Sequence, residues 1–185
     1  MIAESNELRL FVAVDIPEEH KTALLKAQKA FPGLPWTSAR QIHLTMRFIG
    51  EVDVDQFGRV TECLNDVSAL SFTLRPDGTG FFPDAVKPSI FWFGLQESAG
   101  LLELKQKVDT VLKSAIGLAP ENRGFVPHVT LLRFKSRPND ELITSLRTKF
   151  SSLGLSDFNV SAFSLYSSQL SNSGAIYVKE AEYKL

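Results

Sequence analysis

The chain predicts an α+β domain of two pseudo-equivalent lobes that face each other, and three observations predict it. Short apolar strands alternate with amphipathic helices in the order β, α, β, α, β, β, α, β, α, β, β. The second half repeats the first half's succession of motif strand, helix and closing strand pair, with "HLTM" at 43–46 answered by "HVTL" at 128–131. No linker-like stretch separates the halves, so residues 1–185 read as a single domain of two intertwined, pseudo-symmetric lobes.

The elements follow in order. "LRLFVAVDIP" (8–17) is rich in β-branched and aromatic residues and closes on proline, which makes it a largely buried strand leading into a helix. Pro17 suits a first helical turn, and "EEHKTALLKAQKAF" (18–31) carries leucine and alanine at helical spacing until "PGLP" breaks it. "HLTMRFIGEV" is a strand, followed by a helix over about 54–65 with Val60 and Leu64 on one face. "LSFTLRPDGTGFFP" and "PSIFWFGL" are two strands around a polar loop, with Gly78 and Gly80 marking a bulge or a close backbone approach. Residues 97–117 place Leu101, Leu104, Val108, Val111, Leu112 and Ala115 on one helical stripe that Gly117 can end. "HVTLLRF" is the second motif strand, and "RPNDELITSLRTKF" is a helix with an acidic first turn. "FNVSAFSLYSSQL" and "GAIYVKEAEYKL" close the chain as two strands around a Ser/Asn/Gly turn.

Composition narrows the function. With 20 Lys+Arg against 21 Asp+Glu, the net charge of -1 provides no global field for a nucleic-acid backbone, so an RNA ligand would need a local pocket. The single Cys63 excludes an intrachain disulfide and a cysteine metal cluster, which suits a reducing, cytoplasmic setting. The N-terminal stretch, with Glu4, Glu7 and Arg9 ahead of a short apolar run, lacks the pattern of a signal peptide and reads as a first strand. No apolar run approaches the roughly 18 residues of a membrane helix. The chain is expected to act as a monomer.

The repeated tetrapeptide carries the chemistry. In a strand, residues i and i+2 share a face, so His43 and Thr45 point one way and Leu44 and Met46 the other; His128 and Thr130 stand likewise against Val129 and Leu131. Two such strands near a pseudo-twofold axis aim two imidazoles and two hydroxyls into one cleft. An imidazole can act as base or as acid near neutral pH. Displacement of an alkoxide from phosphorus by water needs one of each, while hydroxyls and arginine can hold the phosphoryl oxygens. No His/Cys/carboxylate cluster stands at metal-ligand spacing near either motif, so neither a metal nor another cofactor is expected. Arg47 falls four places after His43 and in phase with it, whereas Arg133 falls five after His128 and is out of phase unless the strand bulges or ends there. His20, without a companion motif, is expected on the surface. Phe11, Phe48, Phe81, Phe82, Trp92, Phe134 and Tyr166 are the aromatic residues from which a base-stacking wall could be drawn.

At these residues the chain resembles the two-histidine phosphoesterase superfamily, and within it the RNA 2',3'-cyclic phosphodiesterases first described as 2'-5' RNA ligases. The similarity runs in order through "LRLFVAVDIPEE", "IHLTMRFIGEV", "FFPDAVKPSIFWFGL", "FVPHVTLLRF" and "LYSSQLSNSGAIYVKEAEYKL". It implies a bilobal α+β fold, two antiparallel sheets flanking a central cleft with helices outside, and metal-free hydrolysis of RNA 2',3'-cyclic phosphate ends to a 2'-phosphate, with reversible 2'-5' ligation through the same residues. It further implies that His43 donates a proton to the leaving 3' oxygen, that His128 accepts one from water, that Thr45 and Thr130 bind phosphate oxygens, and that Arg133 matches the arginine after the second motif. Departures from the pattern are Met46, Leu132, which could narrow the cleft beside Arg133, and Tyr183. The same residues are compatible with a cyclic phosphodiesterase acting on a small nucleotide such as an ADP-ribose cyclic phosphate, or with a non-catalytic RNA-end binding module.

Overall fold

A computed structural model describes residues 8–171 and 174–185. The acidic opening with Glu4 and Glu7, and part of the Ser/Asn/Gly turn, lie outside the described residues. The elements are β1 (Leu8–Asp15), α1 (Glu18–Gln28), β2 (His43–Val52), α2 (Val54–Leu64), β3 (Phe72–Leu74), β4 (Pro76–Phe82), β5 (Ile90–Leu95), α3 (Ala99–Ile116), β6 (His128–Arg133), α4 (Asp140–Ser151), β7 (Phe158–Val160), β8 (Ala162–Ser171) and β9 (Gly174–Lys184). This is the α+β class that the strand and helix patterns imply. No helix among the described residues is long and apolar enough to cross a membrane.

Two antiparallel sheets form. The larger runs β4-β5-β6-β2-β1-β8-β9 and the smaller pairs β3 with β7. Two stretches that read as single strands are each split: one turns out of the small sheet at Arg75, the other at Ser161. At both breaks the freed carbonyl is taken up by the end of a neighbouring strand, Gln96 N–H to Arg75 at 2.7 Å and Leu185 N–H to Ser161 at 2.9 Å. Each break therefore lets one stretch serve two sheets without leaving the carbonyl at the turn unpaired.

Helix boundaries follow local chemistry. Asp53 accepts from the Gln56 N–H in a capping box that starts α2, Ser98 accepts from Leu101 to start α3, and Asn139 accepts from Leu142 to start α4. Gly117, at φ 69°, ends α3 in the left-handed conformation. The helices pack on the apolar face of the large sheet, where Leu44, Met46, Val129, Leu131 and Leu132 meet Leu104, Val108 and Leu146 in one core.

His20 departs from its expected surface position. It is 2 % exposed, shares the buried face of α1 with Leu24, Ala27 and Gln28, places Nε2 2.8 Å from the Ser156 carbonyl, and lies edge-on to Phe158. The helical stripe continues one turn further toward the N-terminus than the apolar residues alone mark, because this imidazole finds a hydrogen-bond partner inside.

Candidate active site

The two motif strands are neighbours. β2 and β6 pair antiparallel through Leu44 opposite Val129. Continuing that register by one residue sets His43 opposite Thr130 and Thr45 opposite His128, so a pseudo-twofold axis passes between Leu44 and Val129. Those two side chains are buried in the core, which turns all four polar residues to the opposite, helix-free face. His43, Thr45, His128 and Thr130 are all half-buried there.

Both strands then bulge at the fourth motif residue. In β2 the register passes from Ala13 opposite Thr45 to Val12 opposite Arg47, skipping Met46; in β6 it passes from Trp92 opposite Thr130 to Phe91 opposite Leu132, skipping Leu131. One extra residue reverses the alternation. Arg47, in phase with His43 by simple counting, is thereby carried to the back of the sheet. It is 3 % exposed, donates to the Ala119 carbonyl, and pairs with Asp109 and Glu121. The expectation that Arg47 joins the histidines is corrected by that bulge. Leu132, fully buried at the matching place in β6, faces the core and does not narrow the cleft. The same reversal returns the sixth residue, counted from the histidine, to the front: Arg133, exposed and close enough for its charge to disfavour protonation of His128, and Phe48, 59 % exposed and 6.1 Å from the Phe11 ring.

The two imidazoles have different surroundings. His128 Nδ1 lies 2.7 Å from the Val126 carbonyl oxygen, which can only accept, so Nδ1 carries the proton and Nε2 presents its lone pair. Phe82 meets the ring edge-on at 4.8 Å and Trp92 lies at 6.0 Å. The Trp92 indole lies so close over Gly80 that a β-carbon there would come within 2.1 Å of it, which is the close approach the glycine signals. Burial lowers the pKa of His128, opposed by the Val126 hydrogen bond and assisted by Arg133.

His43 is enclosed more deeply. Its ring stacks on Phe11 at 4.9 Å, meets Tyr177 edge-on at 5.4 Å, and places Nε2 3.0 Å from the Thr45 hydroxyl. Burial pushes its pKa down to about 4, against the Asp15 carboxylate and a backbone hydrogen bond with Gln41, which favour the charged ring. Asp15 stands opposite His43 in the β1–β2 register and accepts from Tyr166 Oη at 2.6 Å, Lys179 Nζ at 2.7 Å and Ser164 Oγ at 3.3 Å. Burial raises the Asp15 pKa, but the Lys179 and Tyr166 hydrogen bonds outweigh it and hold the carboxyl below its usual range.

Sequence reasoning missed Asp15, Tyr177, Lys179 and the Val126 carbonyl. The phase of Asp15 with Phe11 and Ala13 along β1 is the one signal that could have placed it on this face. Two surface cavities of about 290 and 330 Å³ lie elsewhere: one beside Arg47, Lys105 and Lys113, the other between Leu34 and Phe134.

Comparison with known proteins gives a consistent result. Residues 16–172 match the family described as the 2'-5' RNA ligase superfamily. An RNA 2',3'-cyclic phosphodiesterase of Aquifex aeolicus is 32% identical over 153 residues, covering 81% of each chain. One of Archaeoglobus fulgidus is 32% identical over 173 residues, covering 92% of this chain and 96% of its own. Among solved structures, the protein TT0787 of Thermus thermophilus superposes with a TM-score of 0.80 at 27% identity, over 96% of this chain and 97% of that one.

Proposed function

The chain belongs to the 2'-5' RNA ligase superfamily, and on that premise we propose that it hydrolyses RNA 2',3'-cyclic phosphate ends to 2'-phosphomonoesters. The carrying observation is the pairing of β2 with β6 at Leu44–Val129, which puts one base-ready imidazole and one enclosed imidazole on the same open face.

His128 Nε2, its lone pair outward, takes a proton from water as the water oxygen attacks phosphorus. The bond from phosphorus to the 3' oxygen breaks, and His43 delivers a proton to that oxygen, leaving a 3'-hydroxyl and a 2'-phosphate. When the 5'-hydroxyl of a second RNA takes the place of water, the same two transfers open the cyclic phosphate onto it and give a 2'-5' phosphodiester and a free 3'-hydroxyl; in the reverse of that step the imidazoles exchange duties, the 3'-hydroxyl attacks phosphorus and the 5'-hydroxyl leaves. Thr45 and Thr130 donate to non-bridging oxygens without adding charge, and Arg133 approaches the same oxygens from the end of β6. Both imidazoles are neutral in the empty site at neutral pH. An entering phosphate anion, adding to the field of Asp15, supplies the charge that makes His43 the protonated partner. Since imidazoles supply both proton transfers, the mechanism calls for no metal or other cofactor; we further propose that the protein acts as a monomer, one domain of two lobes around one site.

The test is to incubate the protein, in chelator, with an oligonucleotide ending in a 2',3'-cyclic phosphate and to locate the product phosphate, beside a His128→Ala control. A 2'-phosphate formed only by the intact protein is expected. Turnover abolished by chelator would overturn the metal-free mechanism. Tight binding of the cyclic end without turnover would point to an end-binding module, and preference for a cyclic ADP-ribose phosphate to a small-nucleotide enzyme.

A further inference from the structure

The segment from Leu118 to Pro127 links α3 to the second motif strand and has no helix or strand of its own. Its last residues nevertheless decide the protonation geometry of His128, because the Val126 carbonyl accepts the hydrogen bond from Nδ1–H. Side chains hold this segment against the back of the sheet. Arg47 donates to the Ala119 carbonyl, and its Nε and Nη1 lie 3.5 and 3.4 Å from the carboxylates of Asp109 on α3 and Glu121 on the segment. Lys105 Nζ bridges the same two carboxylates at 2.9 and 3.0 Å and sits 5.3 Å from the centre of the Phe125 ring. At the far end, the Pro127 carbonyl accepts from Leu95 N–H at 3.0 Å, and Pro127 itself keeps Val126 extended.

We infer that Arg47 is a positioning residue: through Ala119 and the Lys105–Asp109–Glu121 cluster it fixes the 118–127 segment so that the Val126 carbonyl holds His128 in its Nδ1-protonated tautomer. This rests on the reading of His128 as the base. Two positive and two negative groups meet in a site where Arg47 and Lys105 are 3 % and 9 % exposed. A buried ion cluster is costly to assemble, and apolar side chains of similar volume often serve stability equally well. The matching position in β6 is filled by a leucine, Leu132, and packs without any charge. The arginine in β2 therefore does something that packing does not require: it reaches from the first motif strand to the loop that aims the second histidine.

The experiment uses Arg47→Met, which keeps length and apolar volume, Arg47→Lys, and Glu121→Ala, with nitrogen chemical shifts of the His128 ring read by NMR alongside kcat and KM. The parent protein is expected to show protonated Nδ1. Arg47→Met is expected to populate the Nε2-protonated form and to lose on the order of a hundredfold in kcat with KM changed far less, with partial recovery in Arg47→Lys. If Arg47→Met does not fold, Glu121→Ala, altered at a half-exposed side chain, carries the test with a smaller shift in the same direction. A folded variant that keeps the parent's tautomer overturns the inference. Because the tautomer is read without substrate, a protein that shows the expected ring shifts but no turnover would overturn the proposed function while leaving the positioning role standing.

Discussion

The two motif strands share spacing, bulge and register, yet they treat their histidines differently. In β6, His128 meets the edge of Phe82 and donates a hydrogen bond from Nδ1 to a carbonyl, with Arg133 beyond. In β2, His43 is stacked on Phe11, boxed by Tyr177, and faced by a carboxylate that is itself held by Lys179 and Tyr166. The pairing of strands supplies two equivalent positions, and the side chains around each make them unequal. That inequality gives the two rings distinct roles, but in the free protein burial works against the proton that His43 must deliver, so the charge of the bound phosphate is what completes the assignment of acid and base.

The heaviest blow to the comparison removes either imidazole. His43→Ala and His128→Ala are each expected to cost roughly a thousandfold or more in kcat/KM on a cyclic-phosphate oligonucleotide, and the double variant little beyond the worse single one, because the two act as a unit. A double variant that multiplies the two losses would show that they work independently.

Acid stability separates the strands next. The unfolded chain protonates His43 near pH 6.5, the folded chain only near 4, so the folded state binds fewer protons between those values and stability falls as pH drops through that window. The difference corresponds to about 3 kcal/mol of stability present above pH 6.5 and lost by about pH 4. Denaturant unfolding of His43→Gln at pH 7 and pH 4 is expected to show a loss on acidification smaller by about that amount than in the parent. An equal loss in both would mean that the ring takes up its proton in the folded chain as easily as in water.

At the sixth residue, counted from the histidine, the strands differ outright, Phe48 in one and Arg133 in the other. Arg133→Ala is expected to cost about ten- to a hundredfold in kcat/KM, the range for a charge-assisted hydrogen bond to phosphate. The measurement is steady-state kinetics across a range of salt, where the variant's dependence should be shallower.

Much of this was legible in the residues. Alternation placed His43, Thr45, His128 and Thr130 on polar faces, and the repeat made them face one another. Counting failed at Arg47 because it assumes an unbroken period of two, and a bulge is set by the partner strand's register rather than by any residue type at Met46. The condition attached to Arg133, that its strand bulge or end there, is met on both counts, since β6 bulges at Leu131 and ends at Arg133. His20 was misplaced because its hydrogen-bond partner, the Ser156 carbonyl, comes from a distant part of the chain. Asp15 escaped notice for a similar reason: its importance lies in Tyr166 and Lys179, which reach it across two further strands.

Asp15 also sharpens the comparison most finely. Its negative charge favours the His43 imidazolium, while burial disfavours it. In the free protein the productive form, His43 charged and His128 neutral, is a minor one at neutral pH. The profile of kcat/KM, which reports free-enzyme groups, is therefore expected to peak on the acid side of the profile of kcat, where bound phosphate has raised the His43 pKa. Asp15→Asn removes the favouring charge and leaves Lys179 with Glu182 as its carboxylate partner, so the change acts against the imidazolium. The His43 limb of kcat/KM should move to lower pH, with activity at neutral pH reduced several-fold. The quantity that decides is the position of the limb, because loss of the Tyr166, Lys179 and Ser164 contacts by itself would lower the whole curve without moving it. A lowered but unshifted profile would assign Asp15 to holding β1, β8 and β9 together and would leave burial alone to set the proton affinity of His43.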